Sequence, residues 1–515
     1  MKDDAQRRSR SLAVAKPGFR LPCQYGTVLV AAMILYGFSC APGLLWQDSG
    51  LIQYRTINND IQGFLGLALS HPLFYLLAIC TKAIPWAEVA YKVNLLSALA
   101  GAIAVANLFL FIRLWTGRSL AAILGAGTLA LSHTFWQHAS MAETYTLWAA
   151  LFTAELIVVL QYTKTRRTGY LYGLGLLNGL AAAVHMLAVI PLAVYVVYVG
   201  LLWKRRALAG KDVGMMVLFW MVGCLPYEYL IVRNMIDSGN IIGALSSALF
   251  GNRWKGEVLN AAISGQLVKE NLLLWVLNFP TPNAVLAFIG TIAVTKAARR
   301  DAFGWLVLAM VVLFLVFAFR YTVPDRYAFF IPFYCMVSIL IGCGAHRVLS
   351  QARGGFLAIA MMACVLLPVG VYAAAPRATR QAGLDIRTRG DVPYRDDLRF
   401  FLTPWKTGYA GAGRFAVEAL TAVGPGAVIY ADLTTVGPLL VTQQAAAFRS
   451  DVAIVSPAIH SPGAPLFNAQ SLPGLLQAGP VYVVSRNPGY CPAFVREGYD
   501  LVQAGLLWQV RIRGS

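Results

Sequence analysis

Long apolar runs separated by short polar, often basic, stretches recur from residue 27 to residue 374, and beyond residue 375 the pattern breaks into short alternating segments. A hydrocarbon layer of about 30 Å takes roughly twenty apolar residues of helix to cross. Backbone groups find no partner in lipid, so each crossing run must be a helix. Eleven spans are expected, near residues 27–47, 90–112, 118–134, 143–162, 169–186, 187–203, 213–232, 272–295, 303–320, 327–346 and 355–374. The apolar run from His71 to Pro85 is too short for a regular span. It is read as part of a large first external loop, residues 48–88, with one or two helices lying at the membrane surface.

The spacing after residue 375 predicts something different. Residues 376–410 carry Arg377, Arg380, Asp385, Arg387, Arg389, Asp391, Arg395, Asp396 and Asp397, a charged linker unlike anything in the spans. Residues 411–515 then alternate helix-like and strand-like runs. Arg414–Val423 and Val436–Ala447 have the period of helices, whereas Ala427–Leu433, Val452–Val455, Val481–Ser485 and Leu506–Ile512 read as strands. This is a small α/β domain without a complete phosphate loop or a nucleophile motif. The fold class that follows is an α-helical polytopic membrane protein of about eleven transmembrane helices, plus a small C-terminal extracytoplasmic α/β domain.

Composition agrees: 58% of the 515 residues are hydrophobic and only 13% charged. The net charge of +19 would fit nucleic acid were it spread over one face. Instead the cations cluster between apolar runs, at Arg7, Arg8, Arg10, Lys16 and Arg20, at Arg113 and Arg118, at Lys164, Arg166 and Arg167, at Lys204, Arg205, Arg206 and Lys211, at Lys296, Arg299 and Arg300, and at Arg347 and Arg353. Cytoplasmic loops collect such residues, so these clusters orient the chain and no nucleic acid is implied. The basic N-terminus, residues 1–26, is placed in the cytoplasm, and an odd span count exports the C-terminus. No small-residue cleavage site follows the first run, which is expected to stay as an anchor. The eight cysteines form neither a disulfide framework nor a zinc spacing.

With that topology, the unusual polar residues gather at the outer ends of the spans: Asp48, His71, His138, Glu143, His185, Arg320, Asp325 and Arg326. Ionisable groups at such places mark a water-filled cavity or a substrate path. A carboxylate beside histidines suits activation of a hydroxyl, and arginines suit an anionic phosphate. The external stretch from Arg233 to Glu270, with Arg253, Trp254 and Lys255, is long enough to cover such a cavity.

Several blocks carry a resemblance. Trp46-Gln47-Asp48-Ser49-Gly50, Leu69-Ser70-His71-Pro72-Leu73, Tyr91 to Ala98, Phe135-Trp136 with Ala139, Glu143 and Tyr145, and Gly179-Leu180 with His185 and Pro191 occur in that order. Together they resemble the protein O-mannosyltransferase-like family that includes the transmembrane protein 260 type; Asp325-Arg326-Tyr327 with Pro332 is similar to a weaker block. Two departures stand out, Leu51 directly after Gly50 and the run His71-Pro72-Leu73-Phe74-Tyr75. The resemblance implies a GT-C-like transmembrane domain over residues 27–375 and a polyprenyl-phosphate-linked sugar as donor. It makes Asp48 the catalytic carboxylate, with Asp60 as the acidic runner-up. Glu143 and His71 would line the sugar or acceptor pocket, Arg326 and Lys92 would hold phosphate, and His138, His185 and Tyr327 join the substrate-binding set. Apart from the resemblance, Asp48, Asp60 and Glu143 offer hard oxygen ligands suited to magnesium or manganese, with Asp48 and Glu143 the candidate pair, although no spacing in the sequence demands an ion.

The reaction expected is transfer of a sugar to a protein hydroxyl or a cell-envelope glycan at the outer face of a bacterial inner membrane, with inversion. A lipid or sugar transporter or flippase, which would place its polar groups mid-membrane on broken helices, is the rival. A non-catalytic membrane scaffold is the third reading.

Overall fold

A computed structural model gives the fold and describes residues 20–514 apart from 252–254, 300, 324, 352–354, 385–388, 446, 458 and 460–462. The basic residues Arg7, Arg8, Arg10, Lys16, Arg300 and Arg353, the linker residues Asp385 and Arg387, and Arg253 and Trp254 therefore lie outside the described residues.

Every expected span falls on helix. The first is α1 (Arg20–Ser39). Two helices then fill the first external loop, α2 (Gln47–Ile57) and α3 (Pro72–Cys80). The bundle continues through α4 (Val89–Thr116), α5 (Ser119–Ala130), α6 (His133–Ala139), α7 (Tyr145–Thr165), α8 (Gly169–Val184), α9 (Val189–Lys204) and α10 (Gly210–Ser238). After α11 (Ile241–Phe250) come α12 (Gly265–Asn278), α13 (Val285–Ala298), α14 (Ala302–Arg320), α15 (Ile331–Leu349) and α16 (Phe356–Gln381).

Among the described residues, eight helices are long and apolar enough to cross a membrane, and ten if each of two bent pairs counts as one span. The pairs are α5 with α6, bent by 70°, and α12 with α13, bent by 112°. The remaining expected span is α8, which at 16 residues is shorter than a regular crossing. The chain is an integral membrane protein.

Helix α15 is enclosed along its length, while α9, α10 and α14 keep rows of large apolar side chains such as Val196, Met221, Leu225 and Val312 on the outside, where lipid solvates them. Small residues let neighbours approach closely. A Cβ at Gly175 or Gly179 of α8 would strike the Met216 or Trp220 carbonyl of α10.

Beyond α16, helices α17 (Asp397–Leu402), α18 (Gly411–Ala422) and α19 (Leu433–Ala445) surround a five-stranded sheet. Its strands are β1 (Val428–Tyr430), β2 (Ala453–Val455), β3 (Val481–Val483), β4 (Tyr499–Ala504) and β5 (Leu507–Ile512), in the order β2-β1-β3-β5-β4. β1 runs parallel to β2 and β3, and the β4–β5 hairpin adds on antiparallel. Four strands match the sequence expectation. β4 does not, because it is an edge strand whose polar residues face outward and leave no apolar signature.

The charged linker also differs from expectation. Arg389 is buried with its guanidinium on Asp432 (2.7 Å), Asp391 (3.1 Å) and Thr434, and Arg395 is buried against Asp397 (2.6 Å). Its charges satisfy one another inside the protein, which composition does not disclose. One apolar core joins Trp46, Leu51 and Tyr54 of the first external segment to Phe415, Val436 and Leu440 of the C-terminal part.

Candidate active site

The turn entering α2 is clamped from two sides. Asn94 of α4 donates to the carbonyl oxygens of Ala41 and Gly43, both at 3.0 Å. Gln53 of α2 donates to Asn94 Oδ1 (3.0 Å) and Gly43 O (3.2 Å), and its Oε1 accepts from the Leu45 N–H (3.1 Å). Asn94 and Gln53 are fully buried, so leaving these groups unpaired would cost about 1–3 kcal/mol each.

Each residue of the Trp46–Gly50 segment then has a distinct place. Trp46 is buried against Phe415, ring centroids 5.6 Å apart. Gln47 adopts a left-handed φ of 56°, a conformation that costs about 1–3 kcal/mol and persists only where the surroundings enforce it. Asp48 thereby stands in the first turn of α2, where free helix N–H groups favour a carboxylate. Ser49 Oγ donates to Glu143 Oε1 at 3.3 Å. Gly50 meets Gly437 of α19 so closely that a Cβ on Gly437 would fall 2.5 Å from the Gly50 carbonyl carbon.

Glu143 follows α6 and is fixed by Ser97 of α4, whose hydroxyl accepts from the Glu143 N–H and donates to its C=O, both at 3.0 Å. A third acid, Asp325, precedes a 3-10 turn (Arg326–Phe330) that leads into α15. The three act on one another electrostatically. Burial, then the Asp325 charge, push Asp48 up to about 7. Glu143 is driven well above the carboxylate range by burial first and by Asp48 and Asp325 next, against the opposing Ser49 bond. Burial also raises Asp325. Three crowded acids disfavour one another's ionised forms, so the cluster resists full ionisation and Asp48 loses its proton only near neutral pH.

An aromatic wall runs past these acids. His71 stacks on His185 (centroids 4.9 Å apart), His185 lies 5.1 Å from Tyr145, Tyr145 5.3 Å from His138, and His138 5.6 Å from Tyr327. Tyr145 and Tyr327 both sense the charges of Asp48, Glu143 and Asp325. Four residues expected from sequence, His71, His138, His185 and Tyr327, are thus brought together with Asp48 and Glu143.

The imidazoles are neutral. His71 Nδ1 lies 2.7 Å from the Val184 carbonyl and so carries the proton, and burial lowers this histidine to about 4. Burial likewise lowers His185, whose Nδ1 accepts from the Leu187 N–H at 3.1 Å.

Two expected phosphate ligands are engaged elsewhere. Lys92 donates its ammonium to the Ile84 carbonyl at 2.7 Å, securing the end of the first external loop. Arg326 turns away from the acids. It pairs with Glu270 (3.0 Å), donates to the Tyr321 carbonyl (3.0 Å) and bonds Asn271. Asp60, the alternative base, is committed to loop structure, accepting from the Gln62 and Gly63 N–H groups and pairing with Arg55 at 3.4 Å. Arg55 lies over the Tyr75 ring (3.7 Å), and Tyr75 in turn senses Asp48 and Glu143.

Sequence reasoning noted Asp325 and Tyr145 without assigning them to the site. Their signal was the block in which each occurs. Tyr75 and Arg395 carried none. Among the described residues, no three His, Cys, Asp or Glu side chains converge to hold a metal ion. Asp48, Glu143 and Asp325 carry hard oxygen donors of the kind magnesium or manganese takes, and no step below uses an ion.

Residues 69–207 match the family model described as the protein O-mannosyl-transferase TMEM260 N-terminal domain. The protein O-mannosyl-transferase TMEM260 of Mus musculus is 27% identical over 318 residues, which take in 55% of this chain and 44% of the mouse protein. The chain thus spans less than half the length of that curated relative. Asp48 and Asp325 lie outside the stretch that the family model covers.

Crystal structures of ArnT from Cupriavidus metallidurans, in the apo state and bound to undecaprenyl phosphate, share the fold. Each superposes with a TM-score of 0.60 at 14% identity, over 94% of this chain and 97% of ArnT. The chain therefore shares the membrane fold of ArnT and, through residues 69–207, is similar to the TMEM260-type protein O-mannosyl-transferases.

Proposed function

We propose that the chain is a glycosyltransferase that moves a sugar from a polyprenyl-phosphate donor to a protein hydroxyl or a cell-envelope glycan. The N-terminus faces the cytoplasm, the acid cluster opens to the opposite side of a bacterial inner membrane, and the C-terminal α/β domain covers it. The observation that carries this reading is the meeting of Asp48, Glu143 and Asp325, from three remote segments, at the top of the bundle. The name of the TMEM260 relative and the undecaprenyl phosphate bound by ArnT support the sugar transfer and the donor class.

In this reaction Asp48 takes the proton of the acceptor hydroxyl. The acceptor oxygen attacks the anomeric carbon in line, the bond from that carbon to the phosphate oxygen breaks, and the lipid phosphate leaves with the electron pair, inverting the centre. A base near 7 is matched to neutral pH, being ionised often enough to act yet basic enough to draw the proton. Glu143, its carboxyl raised by burial, hydrogen-bonds the sugar or acceptor, while His71, His138, His185, Tyr145 and Tyr327 line the pocket.

Purified protein given a polyprenyl-phosphate sugar should release the lipid phosphate. Asp48→Asn should abolish release while the protein still purifies monodisperse and melts no lower than the wild type. Normal turnover by that variant would remove Asp48 from its role.

A further inference from the structure

With Lys92 and Arg326 committed to other partners, the acid cluster still needs a cation for the anionic leaving group. Arg55 is close but occupied by Asp60, the Ser70 carbonyl (3.2 Å) and the face of Tyr75.

Arg395 differs from each of these. Its side chain is fully buried, yet its guanidinium is only part satisfied. Nε donates to Asp397 Oδ1 at 2.6 Å, Nη2 reaches Gln47 Oε1 at 3.3 Å, and Nη1 has no partner. A buried guanidinium N–H without an acceptor is costly and asks for a ligand oxygen. The Gln47 contact is the longest bond this group makes, to a neutral acceptor, from a residue bent into the left-handed region. A phosphate oxygen would replace it with a shorter, charge-assisted bond and take up Nη1 as well.

Gln47 immediately precedes Asp48, and the Arg395 charge is felt at Tyr327, which also senses Glu143, Asp325 and Asp48. The cation thus contacts the residue that precedes the base in the chain. Phe400, Phe401 and Trp46 surround the guanidinium and keep the local dielectric low.

We infer that Arg395, supplied by the segment joining the bundle to the α/β domain, binds the phosphate of the polyprenyl-phosphate donor, exchanging Gln47 for phosphate oxygens. The inference rests on the donor class proposed above. As the bond from sugar to phosphate breaks, negative charge grows on the oxygens that Arg395 contacts, so it favours departure of the lipid phosphate.

The test compares binding of decaprenyl phosphate with that of uncharged decaprenol to the full-length protein in detergent. The ratio of the two affinities isolates the phosphate from any general loosening of the fold. Wild type should prefer the phosphate by at least about tenfold, the size of one charge-assisted contact. Arg395→Gln should bring the ratio near one, and Arg326→Gln should leave it at the wild-type value. Arg395→Lys keeps the charge beside Asp397 and so protects the fold, yet it loses the two-pronged contact and should retain only part of the preference.

An unchanged ratio in both Arg395 variants overturns the inference and leaves the donor reading standing. A wild type without preference overturns both. Displacement of decaprenyl phosphate by equimolar inorganic phosphate would overturn the assignment to a lipid-borne group.

Discussion

The raised Asp48 carboxyl sets the pH dependence of the proposed reaction. With its midpoint at about 7, only about a tenth of the molecules carry an ionised base at pH 6 and about a hundredth at pH 5. A phosphodiester donor has no group titrating in this range, so kcat/KM for lipid-phosphate release should fall about tenfold per pH unit below 7. Replacing Asp325 with asparagine removes the second cause of the rise and leaves burial, the first, in place. The acid limb of Asp325→Asn should therefore move to lower pH while staying above the ordinary carboxylate value of 3.8. Each unit of that movement multiplies the pH 5 rate, relative to the plateau, by about ten.

The assay is release of lipid phosphate from a polyprenyl-phosphate sugar at subsaturating donor between pH 5 and 8.5. A wild-type midpoint at or below pH 5, or an upward movement of the limb in Asp325→Asn, would refute the reasoning. The same group has the opposite effect on stability. Because folding raises its pKa, its contribution is most favourable in acid and is lost as pH climbs from about 4 through 7.

Glu143, whose carboxyl burial drives well above its ordinary range, should tolerate Glu143→Gln with most of its turnover retained, whereas Glu143→Ala, which also forfeits the Ser49 bond, should lose it; lipid-phosphate release by the two variants decides. Gly437→Ala forces a Cβ into the Gly50 backbone and should lower stability by about 1–3 kcal/mol, read from the melting temperature in detergent, and depress turnover with it.

Much of the bundle was legible because an apolar run of twenty residues has few alternatives to helix in lipid, and all eleven expected spans fall on helical segments. The histidines and all three acids stood out for the same reason, being ionisable groups at the ends of such runs, although Asp325 was not assigned to the site. What sequence could not reveal was side-chain direction. Arg326 and Lys92 occupy suitable depths, yet Glu270 and the Ile84 carbonyl, close in space and unmarked in sequence, claim them. Arg395 was hidden by the opposite effect. A run rich in Arg and Asp resembles a solvated linker, and only the fold discloses that Asp397, Gln47 and the aromatic rings around them draw it inside.

The contact between Gly50 and Gly437 joins two segments that lie far apart along the chain. A ribosome must therefore add the whole bundle and the residues through Gly437 before the helix bearing Asp48 gains its second wall. Until then a half-made chain carries an acid with no fixed aim.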